Sequence, residues 1–512
     1  SVSAQDASDE MVLEEVIVTA VRRETGLLET PVAVSAFDQD TLAREGVNNL
    51  VNIGSLVPNM QVGLSPSDSG VQIALRGITS NNFTELGDPT VGIHVDGMYS
   101  PRPQGALALL YDVERIDIMR GPQGTLFGRN STSGTINIIT SRPDTNEFGG
   151  SVEVEYGNYS NLATRGWLNI PAGDKVAFRA SFMSQQMDTY LNQYMEEYDL
   201  DWDVDGDGRT DGPNDVPADG IPNTDQRRNY KQSDSEAYGS IDRWGARLSA
   251  RFMPTDRIDW ILTYDHFQDN SPGVPFLKDC EKAKGTFFEC DHPLFDLRVN
   301  TPGELDMSIK TIRSEFLWDA TDWFSVEYRY AYAEQDRSQL FDQDAGAFPD
   351  PDHPGYGIDI DGALFGGVRG WMIRDEQAFY DLGFQPRALQ PFEDLALETE
   401  YSHYKSQVHD LIIKSEGDSR LQWLAGFFYL EEDNEIKFNV EIPWCCGFIR
   451  PLAQSFVQPK RTVESEAVFA QFDFAVNDLL NITAGYRHTW DEKADIGGSN
   501  HQTTGYWVNP GL

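Results

Sequence analysis

The sequence predicts an α/β domain at residues 21–143, followed by an antiparallel membrane β-barrel at residues 149–512. Three observations lead to this prediction. Helix and strand patterns are mixed before Pro143, whereas from Gly149 onward long segments alternate apolar or aromatic residues with charged or small ones. The connections between these segments alternate between short and long, which is typical of membrane barrels.

Composition supports a folded protein of more than one domain. The chain has 512 residues, more than one compact core usually contains. Its 82 acidic and 40 basic residues give a net charge of −42, which argues against nucleic acid as a partner. Aromatic residues make up 12% of the chain, so wholesale disorder is not expected. No apolar run is long enough for a transmembrane helix, but barrel strands are short and individually weak in hydropathy.

The first 20 residues divide into a polar segment and a β-prone run. Residues 1–13 are mostly polar and acidic, and we expect them to be mobile. Residues 1–7 have neither a charged n-region nor an apolar h-region, so an exported protein would already have lost its signal peptide. Residues 14–20 read EEVIVTA and are followed by Arg22 and Arg23, a pattern that predicts a first strand.

The α/β domain begins with short elements. Strand patterns occur at residues 31–37, 59–63, 71–77 and 91–97, and helix patterns at residues 38–46, capped by Asp38, and 50–56, stopped by Pro58. His94 lies alone in its strand, and a lone histidine is more often structural than a metal ligand.

Residues 113–143 carry the most distinctive pattern of the chain. A strand at 113–119 is followed by a loop rich in glycine and then by a second strand at 134–140. Such a pair is compatible with an ordinary hairpin. A phosphate-binding loop is excluded because Arg129-Asn130 follows Gly128 where that loop has Lys-Ser/Thr, and because no helix pattern follows.

The amino-acid sequence of this stretch resembles the end of the plug domain of TonB-dependent outer-membrane receptors. The resemblance rests on ERIDIMRGPQG, LFG and SGTINIIT, with two earlier plug elements, an arginine–glycine pair and a Val-Asp-Gly turn. The residues matched are Arg76, Gly77, Asp96, Gly97, Glu114, Arg115, Arg120, Gly121, Gly124, Gly128 and Arg129.

The resemblance implies an architecture and a location. Residues 21–143 would form a plug that fills the lumen of a barrel in the bacterial outer membrane, in contact with the lipid bilayer and lipopolysaccharide. Residues 14–20 would be the TonB box, the segment that an inner-membrane energy-transducing protein of the TonB type captures. The box residues are Glu15, Val16, Ile17, Val18, Thr19 and Ala20. An extended, unpaired edge suits capture by strand addition. Glu114, Arg115, Arg120 and Arg129 are candidates, by motif position, for polar contacts between the plug and the barrel wall.

The barrel prediction depends on the connections, because a soluble sandwich would show the same alternation. Eleven strands are predicted, near residues 150–157, 162–170, 175–186, 237–252, 257–269, 308–319, 322–335, 399–414, 419–432, 462–475 and 479–491. Short connections near 171–174, 254–256, 320–322, 417–419 and 476–478 alternate with long ones near 187–236, 270–307, 336–398 and 433–461. Short turns on the periplasmic rim and long loops on the outer rim are the arrangement of an outer-membrane barrel.

Eleven strands do not close such a barrel, since plugged transporters have about 22. The sequence also ends at Leu512 without a terminal strand that finishes in Phe or Trp. We therefore expect the chain to be the plug with about half of a barrel; the alternative is a chain whose last strands are not included.

An acidic segment in a predicted long loop is a candidate calcium site. Its residues are Asp203, Asp205, Asp207, Arg209, Asp211 and Asp215. Oxygen ligands at positions 1, 3 and 5, Gly208 at position 6 and an acid at position 9 are what Ca²⁺ requires. The alternative is a solvated acidic loop, since Asn214 stands where an EF-hand has glutamate.

Four cysteines fit neither a disulfide scaffold nor a zinc site. Cys280 and Cys290 are candidates for a disulfide in an oxidising compartment, and two reduced thiols are the alternative. Cys445 and Cys446 are adjacent, and the sequence does not predict their pairing.

The predicted function is transport rather than catalysis. The sequence contains no nucleophile elbow, zinc-protease motif or redox cysteine pair, so we expect neither an enzyme nor an organic cofactor. The resemblance implies energised uptake of a small-molecule ligand such as a metal chelate, with a ferric siderophore as the default cargo and a saccharide, cobalamin or an aromatic compound as alternatives. A passive porin or adhesin and a secreted calcium-dependent glycan-binding protein are further alternatives.

Overall fold

The structure is a computed structural model. It describes residues 17–18, 22–23, 25–26, 32–47, 50–64, 71–80, 87–102, 110–198, 227–275, 293, 295–299, 301–342, 396–417, 419–442, 452–477 and 479–503.

The described residues between Ile17 and Thr140 form two helices and nine short strands. They are β1 (Ile17–Val18), β2 (Thr25–Gly26), β3 (Val34–Asp38), α1 (Gln39–Arg44), α2 (Leu50–Leu56), β4 (Met60–Leu64), β5 (Val71–Leu75), β6 (Val91–Val95), β7 (Met98–Ser100), β8 (Val113–Arg120) and β9 (Gly134–Thr140). A five-stranded mixed sheet has the order β3-β8-β9-β6-β7, and β4 and β5 form a separate hairpin. Nine of these elements lie close to predicted positions, whereas β2 and β7 were not predicted.

Local chemistry explains where the first helix begins and ends. Asp38 precedes α1, and its Oδ1 accepts a hydrogen bond of 2.8 Å from the backbone N–H of Thr41, which caps a free donor of the first turn. Gly46 follows the helix with a φ of +65°, the left-handed conformation that ends many helices. Leu42 of α1 and Leu50 and Ile53 of α2 then pack against apolar residues of the plug sheet.

The glycine-rich loop at residues 121–133 joins the antiparallel strands β8 and β9. The backbone N–H of Gly121 donates to the carbonyl of Ser133, and that of Phe127 donates to the carbonyl of Gln123. Gly121 and Gly128 have φ values of +115° and +80°, conformations that side chains disfavour. The predicted pair of strands is therefore present, and β6 adds to β9 in parallel so that the pair lies inside the mixed sheet.

The second part of the chain is a large antiparallel sheet. Its elements, with three strands of a small separate sheet, are β10 (Gly149–Tyr156), β11 (Leu162–Pro171), β12 (Val176–Met187), β13 (Asn192–Tyr198), β14 (Arg227–Lys231), β15 (Ile241–Thr255), β16 (Ile258–Asp269), β17 (Asp296–Val299), β18 (Glu304–Thr321), β19 (Phe324–Asp342), β20 (Ala396–Ser415), β21 (Leu421–Ile442), β22 (Leu452–Asn477), β23 (Leu480–Ile496) and β24 (Ser499–Thr503). Eleven of them pair in the order β10-β11-β12-β15-β16-β18-β19-β20-β21-β22-β23, and β24 also pairs with β22. All eleven predicted barrel strands are present.

The two faces of the sheet differ in polarity. On β21, Leu421, Trp423, Phe427 and Tyr429 lie on the outer face, and Glu431 follows them on the same face. The inner face carries buried charged residues on several strands: Arg247, Asp265, Arg313, Glu315, Glu327, Asp410 and Glu432. This is the alternation of a membrane barrel, apolar toward lipid and polar toward the lumen. The predicted fold class is confirmed.

In the part of the chain that the structure describes, no helix is long and apolar enough to cross a membrane.

The predicted strict alternation of short and long connections is broken once, and one predicted long connection is wrong. The connection at residues 157–161 between β10 and β11 lies at the same end of the sheet as the long loops but is short. The one predicted near 433–461 is mostly strand, because β21 continues to Ile442 and β22 starts at Leu452, which leaves 443–451 between them. Both strands continue beyond the apolar residues of their outer face into segments that are largely polar. A search for alternating hydrophobic residues does not detect such segments as strands. We call the end with connections 172–175, 256–257, 322–323, 416–420 and 478–479 the short-turn rim.

A three-stranded sheet, with the order β14-β13-β17, lies within segments that the sequence predicts as loops. Leu191, Met195 and Leu297 of this region pack against Tyr238 and Phe341, and all five side chains are buried. The strands are four to seven residues long, too short for a clear alternation.

Candidate functional site: the plug–wall interface and the box segment

Two described residues of the predicted TonB box are paired with the segment that follows them. Ile17 is opposite Gly26 and Val18 is opposite Thr25 in an antiparallel ribbon. The expectation of an unpaired edge is therefore wrong for Ile17 and Val18, because the chain folds back on itself; Arg22, at φ +59°, lies in that reversal. Glu15, Val16, Thr19 and Ala20 lie outside the described residues.

Arg22 connects the reversal to both the wall and the plug. Its Nη1 donates to Asp410 Oδ2 on β20 at 2.7 Å and to the carbonyl of Gly97 at 3.1 Å. The guanidinium also lies over the ring of Phe127, 4.9 Å from the centroid. Its side chain and that of Asp410 are 6% and 2% exposed, so this ion pair is shielded from solvent.

Arg23 attaches the same reversal to the short-turn rim. Its guanidinium donates to the backbone carbonyls of Ser415 and Trp423 at 2.8 and 2.6 Å. It also donates to the Ser415 hydroxyl at 3.0 Å and to Gln422 Oε1 at 3.2 Å. Ser415 ends β20, and Gln422 and Trp423 are at the start of β21. Two consecutive arginines thus hold the reversal that follows the predicted box against the wall, near the short-turn rim.

The Asp96-Gly97 turn is the point where the plug meets the centre of the wall. Both residues have positive φ, +51° and +75°, as a two-residue turn between β6 and β7 requires. Asp96 Oδ1 accepts from the N–H of Thr140 at 2.8 Å, and its Oδ2 accepts from Arg313 Nη1 at 2.5 Å. Arg313 Nη2 donates to Asp265 Oδ2 at 2.8 Å, and Arg247 Nε donates to Asp265 Oδ1 at 2.6 Å. The result is a buried row of alternating charges from plug to wall.

Further ion pairs surround this row. Arg179 on β12 contacts Asp112 of the plug through two hydrogen bonds of 2.8 and 2.5 Å. Arg142, after β9, contacts Glu315 on β18 at 2.7 Å, and Glu315 also accepts from Arg329 on β19 at 3.2 Å. Plug and wall each contribute both acidic and basic partners to these contacts. Along strands β12, β18 and β19 the plug is therefore attached to the wall mainly by charge-assisted hydrogen bonds.

A second group of charges lies on the opposite flank of the plug. Arg102 donates to Glu432 on β21 at 2.7 Å, and Arg129 Nη1 lies 3.9 Å from the other oxygen of Glu432. Arg129 also contacts Asp88 at 3.2 Å, and Asp88 accepts from Lys493 on β23. Burial of the Asp88 carboxyl is outweighed by Lys493 and Arg129, which together lower its pKa.

His94 is enclosed in the plug. Its side chain is fully buried, with ring centroids 5.5 Å from Tyr99 and 5.0 Å from Phe127. Burial, followed by the positive charge of Arg22, holds the pKa of His94 well below its usual range, so the ring is neutral. This environment is that of a structural histidine, as the sequence analysis expects.

A model of the TonB-dependent Receptor Plug Domain matches residues 27–135, which contain the Asp96-Gly97 turn and the glycine-rich loop. Residues 27–135 therefore form a plug domain of the TonB-dependent receptor family. The family consists of outer-membrane receptors that are not enzymes, and this receptor is accordingly an outer-membrane protein.

Several known receptors are similar to this chain in sequence. The pesticin receptor of Yersinia pestis is 36% identical over 101 residues, which are 18% of this chain and 14% of that protein. The ferripyoverdine receptor of Pseudomonas aeruginosa is 31% identical over 145 residues, 28% of this chain and 17% of that protein. The vitamin B12 transporter BtuB of Vibrio vulnificus is 26% identical over 151 residues, 28% of this chain and 24% of that protein.

Solved receptors share the fold over most of this chain. The ferric yersiniabactin uptake receptor FyuA from Yersinia pestis superposes with a TM-score of 0.61 and 17% identity, over 92% of this chain and 60% of that one. The ferripyoverdine receptor of Pseudomonas aeruginosa bound to ferripyoverdine gives 0.61 and 14%, over 96% of this chain and 56% of that one. The chain therefore spans about three fifths of the length of these solved receptors.

The motif residues of the receptor have different positions in the interface. Arg115 forms ion pairs with Glu114 and Asp117, both on its own strand β8, rather than with the wall. The Nε atom of Arg120 is buried without a hydrogen-bonding partner among the described residues. Of the four predicted contact residues, Arg129 is the one whose described ion pairs reach the wall.

The glycines of the motif allow close approach of arginines. A Cβ on Gly121 would lie 2.9 Å from Arg76 Nη1, and one on Gly128 would lie 2.6 Å from Nη2 of Arg487 on β23. Gly77 follows Arg76 with a φ of +77°, and a Cβ on Gly97 would lie 3.4 Å from the guanidinium carbon of Arg329. A Cβ on Gly124 would meet the carbonyl oxygen of Gly128 only at 3.9 Å. Gly121, Gly97 and Gly128 thus lie directly under guanidinium groups.

Other predicted site residues are outside the described part of the chain. These are Asp203, Asp205, Asp207, Arg209, Asp211 and Asp215 of the candidate calcium loop, and the candidate disulfide residues Cys280 and Cys290. Calcium binding and the disulfide stay predictions.

The wall residues that hold the plug were not predicted from the sequence. Arg313, Asp265 and Asp410 lie at inward positions of strands whose alternation the sequence does show. A signal for such residues is present in the sequence. Each of these strands has a charged residue at the centre of its inward face, where a water-soluble sandwich would have an apolar side chain. The sequence contains no signal for the particular partners, since Arg313 and Asp96 are separated by 217 positions.

Proposed function

We propose that this receptor imports a scarce nutrient across the bacterial outer membrane by an energised mechanism. In this proposal, the box at residues 14–20 is the handle for an inner-membrane energy-transducing protein of the TonB type. The plug closes the lumen, and the wall residues that pair with it hold it in place.

The observation that carries the proposal is the position of Arg22. This residue is four positions after Val18 of the box, yet it contacts the wall at Asp410 and the plug at Gly97. A pull on the box would reach these two contacts before any other part of the plug core. The same pull would release the short ribbon of Ile17–Val18 on Thr25–Gly26, which has only two residue pairs.

Energy is required because the plug is held by buried charges. Asp410 and Glu432, the wall partners of Arg22 and Arg102, are both less than 5% exposed. Removing one partner from a buried ion pair leaves an uncompensated charge, at a cost of about 3–5 kcal/mol. A passive porin gains nothing from a lumen filled in this way, and this argues against that alternative.

Coupling between the outside and the periplasm requires a ligand that distinguishes two states. Nutrient bound at the outer face must favour the state in which the box is free from its ribbon and from Arg23. By reciprocity, capture of the box then favours the state that binds the nutrient tightly. The Asp96-Gly97 turn is suited to connect the two ends because it contacts Arg22 below and Arg313 at the centre of the wall.

A ferric siderophore is the proposed cargo class. The similarity to the ferripyoverdine receptor and to the ferric yersiniabactin uptake receptor supports it. The similarity to a vitamin B12 transporter keeps cobalamin as the main alternative. A saccharide or an aromatic compound would use the same mechanism.

Growth under single limiting nutrients tests the proposal. A strain that lacks the gene would be compared with the same strain carrying the wild-type gene, with limiting iron as ferric siderophores, limiting cobalamin, or a saccharide or aromatic compound as sole carbon source. We expect the gene to restore growth under iron limitation alone. Rescue confined to cobalamin or to a carbon source would contradict the siderophore class and leave transport intact; rescue under no condition would contradict nutrient uptake.

A further inference from the structure

Two cavities lie one above the other between the plug and the wall. The upper cavity is lined by Tyr99, Phe267, Ile309, Ala333 and Tyr404, among others, and holds about 690 Å³ of open space, part of it continuous with solvent. The lower cavity is lined by Ser141, Ser249, Ile261 and Thr263, among others, and has about 320 Å³ of open space, part of it also continuous with solvent.

The cavities follow each other along the same two wall strands. On β16, Ile261 and Thr263 line the lower cavity, and Asp265 and Phe267, the next two inward positions, line the upper one. On β18 the change from the upper to the lower cavity occurs at Arg313, which lines both cavities. The lower cavity is the one nearer the short-turn rim, since β16 begins at that rim.

The boundary between the cavities is the ion pair of Arg313 and Asp96. Arg313 and Met98 line both cavities, and Asp96, two residues before Met98, lines the lower one. The 2.5 Å contact between Arg313 Nη1 and Asp96 Oδ2 joins wall to plug at this level. The two side chains are 3% and 15% exposed, so the contact excludes water.

This ion pair can open at a lower cost than an isolated one. If Asp96 moves away, Arg313 keeps its 2.8 Å contact with Asp265. Asp96 keeps the hydrogen bonds from the N–H and hydroxyl of Thr140. Neither charge is left uncompensated, and an uncompensated charge is the main cost of breaking a buried pair.

Arg22 provides a direct mechanical link to this boundary. Its hydrogen bond to the carbonyl of Gly97 is made to the residue next to Asp96, within the same two-residue turn. Displacement of Arg22 toward the periplasm therefore pulls on the turn whose carboxylate holds Arg313.

We propose that Asp96 and Arg313 form the gate of a route through the lumen, along strands β16, β18 and β19, and that the box opens this gate through Arg22 and Gly97. Opening joins the upper and lower cavities into one path from the outer face to the short-turn rim while the rest of the plug stays attached to the wall. The inference rests on the proposed transport function, and it specifies where the cargo passes.

Single-channel recording in planar lipid bilayers tests the gate with K⁺ and Cl⁻ as the permeating probe. The gate variant is Asp96→Asn with Arg313→Ala in the full-length protein. Asparagine tolerates the positive φ of position 96, so the turn is preserved while the ion pair is lost. We expect discrete conductance steps for the gate variant and a flat baseline for the wild type.

A matched control is available on another part of the wall. Asp112 also has a φ of +51°, and its carboxylate contacts a wall arginine, Arg179, at 2.5 Å. Neither residue lines either cavity. Asp112→Asn with Arg179→Ala therefore removes the same charges and the same kind of plug–wall contact, and we expect it to give the wild-type baseline.

Filling the upper cavity provides a second measurement. Ala333 lines it and is only half-buried, so Ala333→Trp added to the gate variant is expected to abolish the steps. If the double substitution prevents barrel insertion, Asp96→Asn alone serves as the gate variant, because Arg313 keeps Asp265. A silent gate variant, equal conductance in the control, or conductance unchanged by Ala333→Trp would each overturn the gate. The recording needs neither nutrient nor inner-membrane partner, so a failure of the proposed uptake function is distinguishable from a failure of the gate.

Discussion

At the scale of single residues, the interface is built from charges that are satisfied in more than one way. Arg313 contacts carboxylates of both domains, and Glu315 contacts Arg142 of the plug and Arg329 of the wall. Buried ion pairs contribute little net stability relative to apolar packing, but they demand particular partners. A plug attached in this way is specific in position and still releasable once its charges find replacement partners.

His94 provides a residue-scale prediction about pH. Because burial lowers its pKa below the unfolded value of 6.5, the unfolded chain binds the proton more readily than the folded one. Its contribution to stability is therefore complete above pH 6.5 and is lost as the pH falls below that value. We expect the free energy of unfolding to fall there by about 1.4 kcal/mol per pH unit through this residue.

Denaturant unfolding of the wild type and of His94→Phe at a series of pH values measures this effect. Phenylalanine fits beside the rings of Tyr99 and Phe127 and does not titrate. The variant should show a shallower decline between pH 6.5 and 5. Identical slopes for the two proteins would mean that His94 is not a buried neutral group.

At the scale of elements, the box ribbon depends on the two arginines more than on its own strand pairs. A ribbon of two residue pairs is not stable alone. Arg22→Ala removes the contacts with Asp410, Gly97 and Phe127, so we expect a spin label at Val18→Cys to become markedly more mobile. Arg44→Ala, on the exposed surface of α1, is the control and should leave the label unchanged. Equal mobility in the two variants would show that Arg22 does not hold the box.

Most regular elements were predictable from the sequence because they have a local signal, whereas the short strands β2, β7, β13, β14, β17 and β24 were not predicted. The eleven barrel strands alternate in polarity, α1 has its capping Asp38, and the strands β8 and β9 flank the glycine-rich loop. The site was predictable only in outline. Motif position identified Arg129 as a wall contact but also suggested Arg115, whose partners lie on its own strand. The contacts of Arg22, Arg313 and Arg179 join distant segments, and no local pattern encodes the partner of a charge.

At the scale of the whole molecule, the outer face of the sheet defines a band for the membrane. On β22, Val468, Phe472 and Phe474 are exposed on this face, and Glu466 and Glu464 follow toward the long-loop end. On β21, the change occurs between Tyr429 and Glu431. The two changes lie within one outward position of each other, because Phe427 is opposite Val468, Tyr429 is opposite Glu466 and Glu431 is opposite Glu464.

This band predicts that the cost of a charge depends on its depth. Phe427→Arg, inside the band, should destabilise the receptor in lipid vesicles by about 2–4 kcal/mol, and Gln407→Arg should cost about 0–1 kcal/mol. Gln407 is the matched control, since it is opposite Glu431 above the band. Guanidinium unfolding in lipid vesicles measures both free energies. Equal costs at the two positions would contradict this boundary of the membrane band.

In the proposed mechanism, force applied to the box drives uptake. The most direct test is deletion of residues 14–20, followed by separate measurement of surface binding and of accumulation of the nutrient that the growth comparison identifies. We predict that binding at the cell surface is retained, because the outer face of the receptor is unchanged, and that accumulation is lost. Accumulation at the wild-type rate without the box would contradict the energised mechanism.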